Sequence, residues 1–174
     1  MNKYTLAPVA AISLLLLSAC AAMQGAPSSA RADMEPTRGS QARGVVQFVQ
    51  DGDKVKVTAT FSGLTPGGHG FHIHEKGDCS APDATSAGGH FNPAGKPHGH
   101  PHQGEHHVGD LPMLQADANG NASLTASLSG MKLTRDSDGI IGRGVIVHAA
   151  PDDFKTQPTG NSGARVACGV ITAR

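Results

Sequence analysis

The chain has 174 residues, 14 basic and 14 acidic side chains, and no tryptophan. That length suits one domain with a sizeable core once any targeting segment is set aside, and the balanced charge offers no case from composition for a nucleic-acid or polyanion partner. With 23 glycines and 11 prolines, little sequence is left for long helices, so short strands joined by many turns are expected.

In chain order, Lys3 is followed by the apolar run Leu6 to Leu17 and then by Leu17-Ser18-Ala19-Cys20, which predicts a secretory signal over residues 1–19. The run is too short to cross a bilayer comfortably. Its LSAC end resembles the bacterial lipobox, in which the cysteine is lipidated and heads the mature chain. Cys20 is therefore the expected lipidation site, and the bacterial periplasm the expected location, with membrane attachment through Cys20 alone. An ordinary cleaved signal with an incidental cysteine is the alternative. Setting Cys20 apart leaves Cys79 and Cys168 to pair in an oxidising compartment, a better match to an exported chain than two unpaired thiols. Residues 20–43 are small and polar, broken by Pro and Gly, and predict a flexible tether leading to a domain at 44–174.

Within that domain, Val45 to Val49 and Lys54 to Phe61 are β-rich runs around Gln50-Asp51-Gly52-Asp53, a hairpin signal. Gly70 to Glu75, Leu111 to Ala116, Ala122 to Leu128, Gly144 to Ala149 and Arg165 to Thr172 are further strand candidates, with Asp117-Ala118-Asn119-Gly120 as a second hairpin turn. These predict an all-β fold, a Greek-key β-sandwich or flattened barrel of immunoglobulin-like type. Lys76 to Gly109 is rich in Gly, Pro and His without apolar periodicity, so something other than a hydrophobic face must order it. Cys79 and the histidines are the candidates. On a strand over Gly70 to Glu75, His72 and His74 share one face while Phe71 and Ile73 take the other. An HxH pair alone is weak, but most of the ten histidines fall between His69 and His107, more than a solvated face needs.

The segments GFHIHEKGDC, SAGGHFNPAGKPHGH, HHVGDLP, GVIVHAAPDD and GNSGARVACGVI resemble, in order, the signatures of copper/zinc superoxide dismutases, and the similarity runs from Gly44 to the C-terminus. Five motifs at compatible spacing are a strong signal where any one would not be. The resemblance implies His72, His74, His90 and His148 as copper ligands, an all-imidazole set that suits copper. It implies His90, His98, His107 and Asp110 as zinc ligands, a closed tetrahedral site, with His90 bridging the two metals. Asp152 matches the aspartate that links His72 to His98, and Arg165 the arginine beside the copper channel. The implied cofactors are one copper and one zinc per subunit, and the implied reaction is disproportionation of superoxide anion to dioxygen and hydrogen peroxide. In that reaction Arg165 receives the anion and His90 relays a proton. A non-catalytic periplasmic protein that binds or stores copper and zinc on the same fold is the alternative. His69, His100 and His102 match no ligand position and are expected at the surface, and His107 fits the ligand register better than His106. The segment between Asp152 and Arg165 is short and lacks the acidic and lysine steering group of animal members. The resemblance is compatible with a homodimer as with a monomer.

Overall fold

The computed structural model describes Met1 and residues 28–174. The signal reading of 1–19, the lipidation reading of Cys20 and the start of the tether lie outside the described residues. Ten strands form: β1 (Ser29–Pro36), β2 (Arg43–Asp51), β3 (Lys54–Ser62), β4 (Gly67–His69), β5 (Phe71–His74), β6 (Leu114–Ala116), β7 (Ala122–Ser129), β8 (Gly144–His148), β9 (Arg165–Val170) and β10 (Thr172–Ala173). The described residues hold no α-helix, only a single 3-10 turn at Thr85–Ala87.

One antiparallel sheet runs in the order β5-β8-β9-β1-β2-β3-β7, with β10 beside β1, and β4 pairs with β6 separately. The sheet curls on itself at β1, whose Ser29 to Met34 pair with β2 while Glu35 and Pro36 pair with β9. Its two halves then face each other over one core, as the edge-to-face contact of Phe61 on β3 with Phe71 on β5 shows, at 5.9 Å between ring centroids. This is the all-β Greek-key sandwich expected from the strand pattern. The predicted hairpin forms in the predicted place: Asp51 pairs with Lys54 around Gly52, whose φ of +61° suits glycine. Along β3, Val55, Val57, Ala59 and Phe61 are buried while the alternating lysines and threonines look outward.

Four expectations are corrected. Residues from Ser28 to Arg43 are not a tether, because Ser29–Pro36 is a strand in the middle of the sheet. Its alternation is real, with Ala30, Ala32 and Met34 buried against Arg31, Asp33 and Glu35, but two alanines make a faint hydrophobic signal. The turn at Asp117 forms, with the Asp117 carboxylate accepting from the Asn119 and Asn121 amides, yet it joins no hairpin: β6 leaves to pair with β4 and β7 with β3. Of the run Leu111 to Ala116, only Leu114–Ala116 is strand. The run Arg165 to Thr172 is split in two at the buried Ile171.

The strand that positions the site is β5. On one side it pairs with β8, setting His72 opposite Ile146 and His74 opposite Gly144. On the other it organises the long loop: the Ile73 amide donates to Gly109 O at 2.8 Å and the Phe91 amide to Ile73 O at 2.8 Å. Gly109 must be glycine here, since a Cβ would stand 2.3 Å from Ile73 O. The loop Lys76–Gly109 is thus held by backbone pairing to the strand that carries His72 and His74, and by a disulfide between Cys79 and Cys168.

Candidate metal centre

His72 and His74 lie on one face of β5, as the alternation requires, with Phe71 and Ile73 in the core behind them. His148 ends β8 at a register shift between Val147 and His148, and the β5-facing loop contributes His90. One donor nitrogen from each of these four residues lies within 4.8 Å of the others, and all four residues are buried. Each ring is fixed from behind. His74 Nδ1 donates to Gly88 O at 2.8 Å, His148 Nδ1 to Gly163 O at 3.1 Å, and His72 Nε2 to Asp152 Oδ2 at 2.6 Å. Those bonds fix the tautomers and leave a lone pair on the opposite nitrogen. The opposite nitrogens, His72 Nδ1, His74 Nε2 and His148 Nε2, together with His90 Nε2, are buried and have no hydrogen-bond partner among the described residues. Four converging lone pairs on buried nitrogens are a cost unless a cation fills the site. The donor set fits copper.

His90 also faces the other way. Its Nδ1 lies 3.1 Å from Asp110 Oδ1, which is 2.9 Å from His98 Nδ1 and 3.4 Å from His107 Nδ1; His90 Nδ1 and His107 Nδ1 are 3.4 Å apart. The Asp110 carboxylate is aimed by its other oxygen, which accepts from the Gly99 and His107 amides at 3.0 and 2.9 Å. Three imidazoles and one carboxylate at these separations fit zinc. Donor atoms of His72, His90, His98 and Asp110 also lie within 4.8 Å of one another. His107 completes the set better than His72, because the Nε2 of His72 is engaged by Asp152 and its Nδ1 belongs to the four-imidazole group.

Asp152 joins the two groups, reaching His72 Nε2 with Oδ2 and His98 Nε2 with Oδ1 at 3.0 Å. Gly160 makes room for it: a Cβ there would lie 1.9 Å from Asp152 Oδ1. Arg165 donates from Nη1 to Ala84 O and from Nη2 to Gly88 O, both at 2.6 Å. The Gly88 carbonyl therefore serves Arg165 and His74 together.

Charge follows these contacts. Burial, reinforced by neighbouring imidazoles, holds His74 down at about 2 and His148 at about 3. Burial lowers His90 to about 4 even against the pull of Asp110. His98 is the exception: burial opposes its charge, but Asp110 and Asp152, one carboxylate at each ring nitrogen, push it up to about 9. In the metal-free protein the His98 contribution to stability is complete below pH 6.5 and is lost as pH rises through about 9. Those of His90 and His148 are present above pH 6.5 and are lost as pH falls through about 4 and 3. Since ligands must be unprotonated to bind a metal, loading zinc alone at pH 7 is expected to release about one proton, from His98, and the second metal to engage His90 about one more, from the neutral ring that both would share. Calorimetric titration in two buffers of different ionisation heat measures this; zinc loading that releases no proton would contradict it.

His69 corrects an expectation of surface exposure. It is 2% exposed, its Nδ1 2.7 Å from His148 O and its Nε2 2.8 Å from Thr65 O, so it braces the backbone behind a copper-type ligand. His102 is exposed as expected, His100 is half-buried beside Phe154, and His106 bonds through Nδ1 to His107 O at 2.7 Å.

The fold and the site together define a β-sandwich metalloprotein in which a four-imidazole site and an imidazole–carboxylate site share one histidine. The family model for copper/zinc superoxide dismutase matches residues 42–171. A Haemonchus contortus protein named extracellular Cu-Zn superoxide dismutase is 44% identical over 134 residues, covering 74% of this chain and 72% of that protein. A crystal structure of the clock protein EA4 matches at TM-score 0.78 and 42% identity, covering 86% of this chain and 96% of that one. The chain belongs to the copper/zinc superoxide dismutase family.

Proposed function

We propose that His72, His74, His90 and His148 hold copper, that His90, His98, His107 and Asp110 hold zinc, and that Arg165 receives the substrate anion. The enzyme disproportionates superoxide to dioxygen and hydrogen peroxide. The observation that carries the assignment of roles is the set of four unpartnered imidazole nitrogens beside an oriented guanidinium. Copper supplies one-electron redox chemistry in the first site, and zinc a fixed charge in the second.

The residues do the rest. Arg165 carries five N–H donors, and the carbonyls of Ala84 and Gly88 engage two of its nitrogens, so donors remain to bind and orient an anion. Its charge does not titrate near neutral pH. His90 is held at Nδ1 on the Asp110 side, which makes Nε2 the atom that can accept a proton and return it to the product. Asp152 keeps the His72 and His98 rings in register across the shared histidine. A metal store would gain nothing from Arg165, which favours the enzyme over storage.

The test is superoxide decay by protein carrying one copper and one zinc. Arg165→Gln is expected to slow it roughly 10- to 1000-fold and to flatten its salt dependence. Wild-type protein with both metals that fails to accelerate decay would overturn the reading.

Export is part of the same proposal. The Haemonchus contortus relative is named as extracellular, and Lys3, the apolar run to Leu17 and Leu17-Ser18-Ala19-Cys20 support a cleaved signal with lipid attached at Cys20 in a bacterial periplasm. Cys20→Ala should shift the protein from the membrane to the soluble fraction; unchanged membrane association would overturn the anchor.

A further inference from the structure

Downstream of Asp152 the chain forms a compact loop whose shape is set by its own side chains. Asp153 accepts from the Lys155 and Thr156 amides at 2.9 and 2.8 Å, and the Gly160 amide returns to Thr156 O at 2.7 Å. From this braced platform Gln157 reaches the backbone of His98, 59 positions earlier. Its Oε1 accepts the His98 amide at 2.8 Å, while its Nε2 donates to His98 O at 2.9 Å and to Lys155 O at 3.2 Å. One carboxamide thus satisfies both peptide groups of a single residue. An amide suits this, having an acceptor at one end and donors at the other.

His98 sits in a stretch with no regular structure, between Pro97 and Gly99. Its ring is held by Asp110 and Asp152, and its main chain by Gln157. Phe154 adds a parallel ring, 6.4 Å from the His98 ring at 13°. We infer that Gln157 is a positioning residue of the zinc site, fixing the backbone of His98 so that Nδ1 reaches the zinc position before the metal arrives. The short segment before Arg165 is then a clamp on a zinc ligand. This rests on the assignment of His98 as a ligand made above.

Outer partners of metal ligands typically change metal affinity about 10- to 100-fold. Gln157→Ala and Gln157→Met are each expected to weaken zinc retention by roughly that factor in competition with a chromophoric chelator, leaving copper retention unchanged. Met keeps the length and most of the bulk but neither hydrogen-bonding end, so it separates the clasp from mere packing. With cobalt in place of zinc, both variants should alter the visible band shape of the tetrahedral ion. Wild-type zinc retention in Gln157→Ala, recovery in Gln157→Met, or equal loss of copper and zinc would each overturn the inference. His98→Ala serves as the separate control. Zinc loss there with wild-type retention in the Gln157 variants removes the clasp alone, and zinc retained in His98→Ala removes the ligand assignment beneath it.

Discussion

The His148→Ala protein is expected to lose copper, and with it all catalysed superoxide decay, while retaining zinc. His148 ends β8 and contributes to the four-imidazole group only. Its Nδ1 is spent on Gly163 O, and its Nε2 is one of the four buried nitrogens without a partner. None of the contacts around Asp110 passes through it: that carboxylate meets His90, His98 and His107, and takes the amides of Gly99 and His107. Metal content after dialysis, read beside the decay assay, gives the result. Copper-dependent activity retained in this variant would mean that a copper ligand has been misassigned, and zinc lost with copper would mean that the two sites are less separable than their geometry.

The second large effect concerns the loop that the disulfide holds. Replacing both Cys79 and Cys168 with serine is expected to cost roughly 4 to 5 kcal/mol of stability on the chain-entropy argument for a loop of this length, the two cysteines being 89 positions apart. Activity should fall as well. The bridged segment packs Ala84 and Ala87 against Ile146 and Cys168, and its Ala84 and Gly88 carbonyls are the acceptors that aim Arg165. Without the bridge those carbonyls lose their anchor. Denaturant unfolding and superoxide decay on the metal-loaded protein measure both halves. A change under about 1 kcal/mol with full activity would show that packing alone holds the loop.

The proposed ligands were legible in the sequence because metal chemistry narrows the choice of side chain, and the five motifs keep their order and spacing. The strands around them were legible where bulky residues alternate, as Val55, Val57 and Phe61 do on β3. β1 follows the same rule with Ala30 and Ala32 in place of valines, and passes for linker. His69 was misread for a different reason. Nothing local marks it as buried, since its partners are the carbonyls of Thr65 and of His148, the latter 79 positions away. Gln157 is the same case at a separation of 59. In both residues what escaped the sequence is a side chain bonded to a distant main chain, where the partner's identity leaves no trace.

The shared carbonyl of Gly88 has a consequence for how this enzyme can vary. Position 88 sits at φ +73°, a left-handed conformation that favours glycine, so the residue there is constrained. The peptide plane of its carbonyl orients His74 and Arg165 alike. Metal retention and anion capture are therefore coupled at this one carbonyl: a change that rotates the plane moves the His74 ring and the Arg165 guanidinium together, whereas the Ala84 carbonyl bears on Arg165 and not on His74.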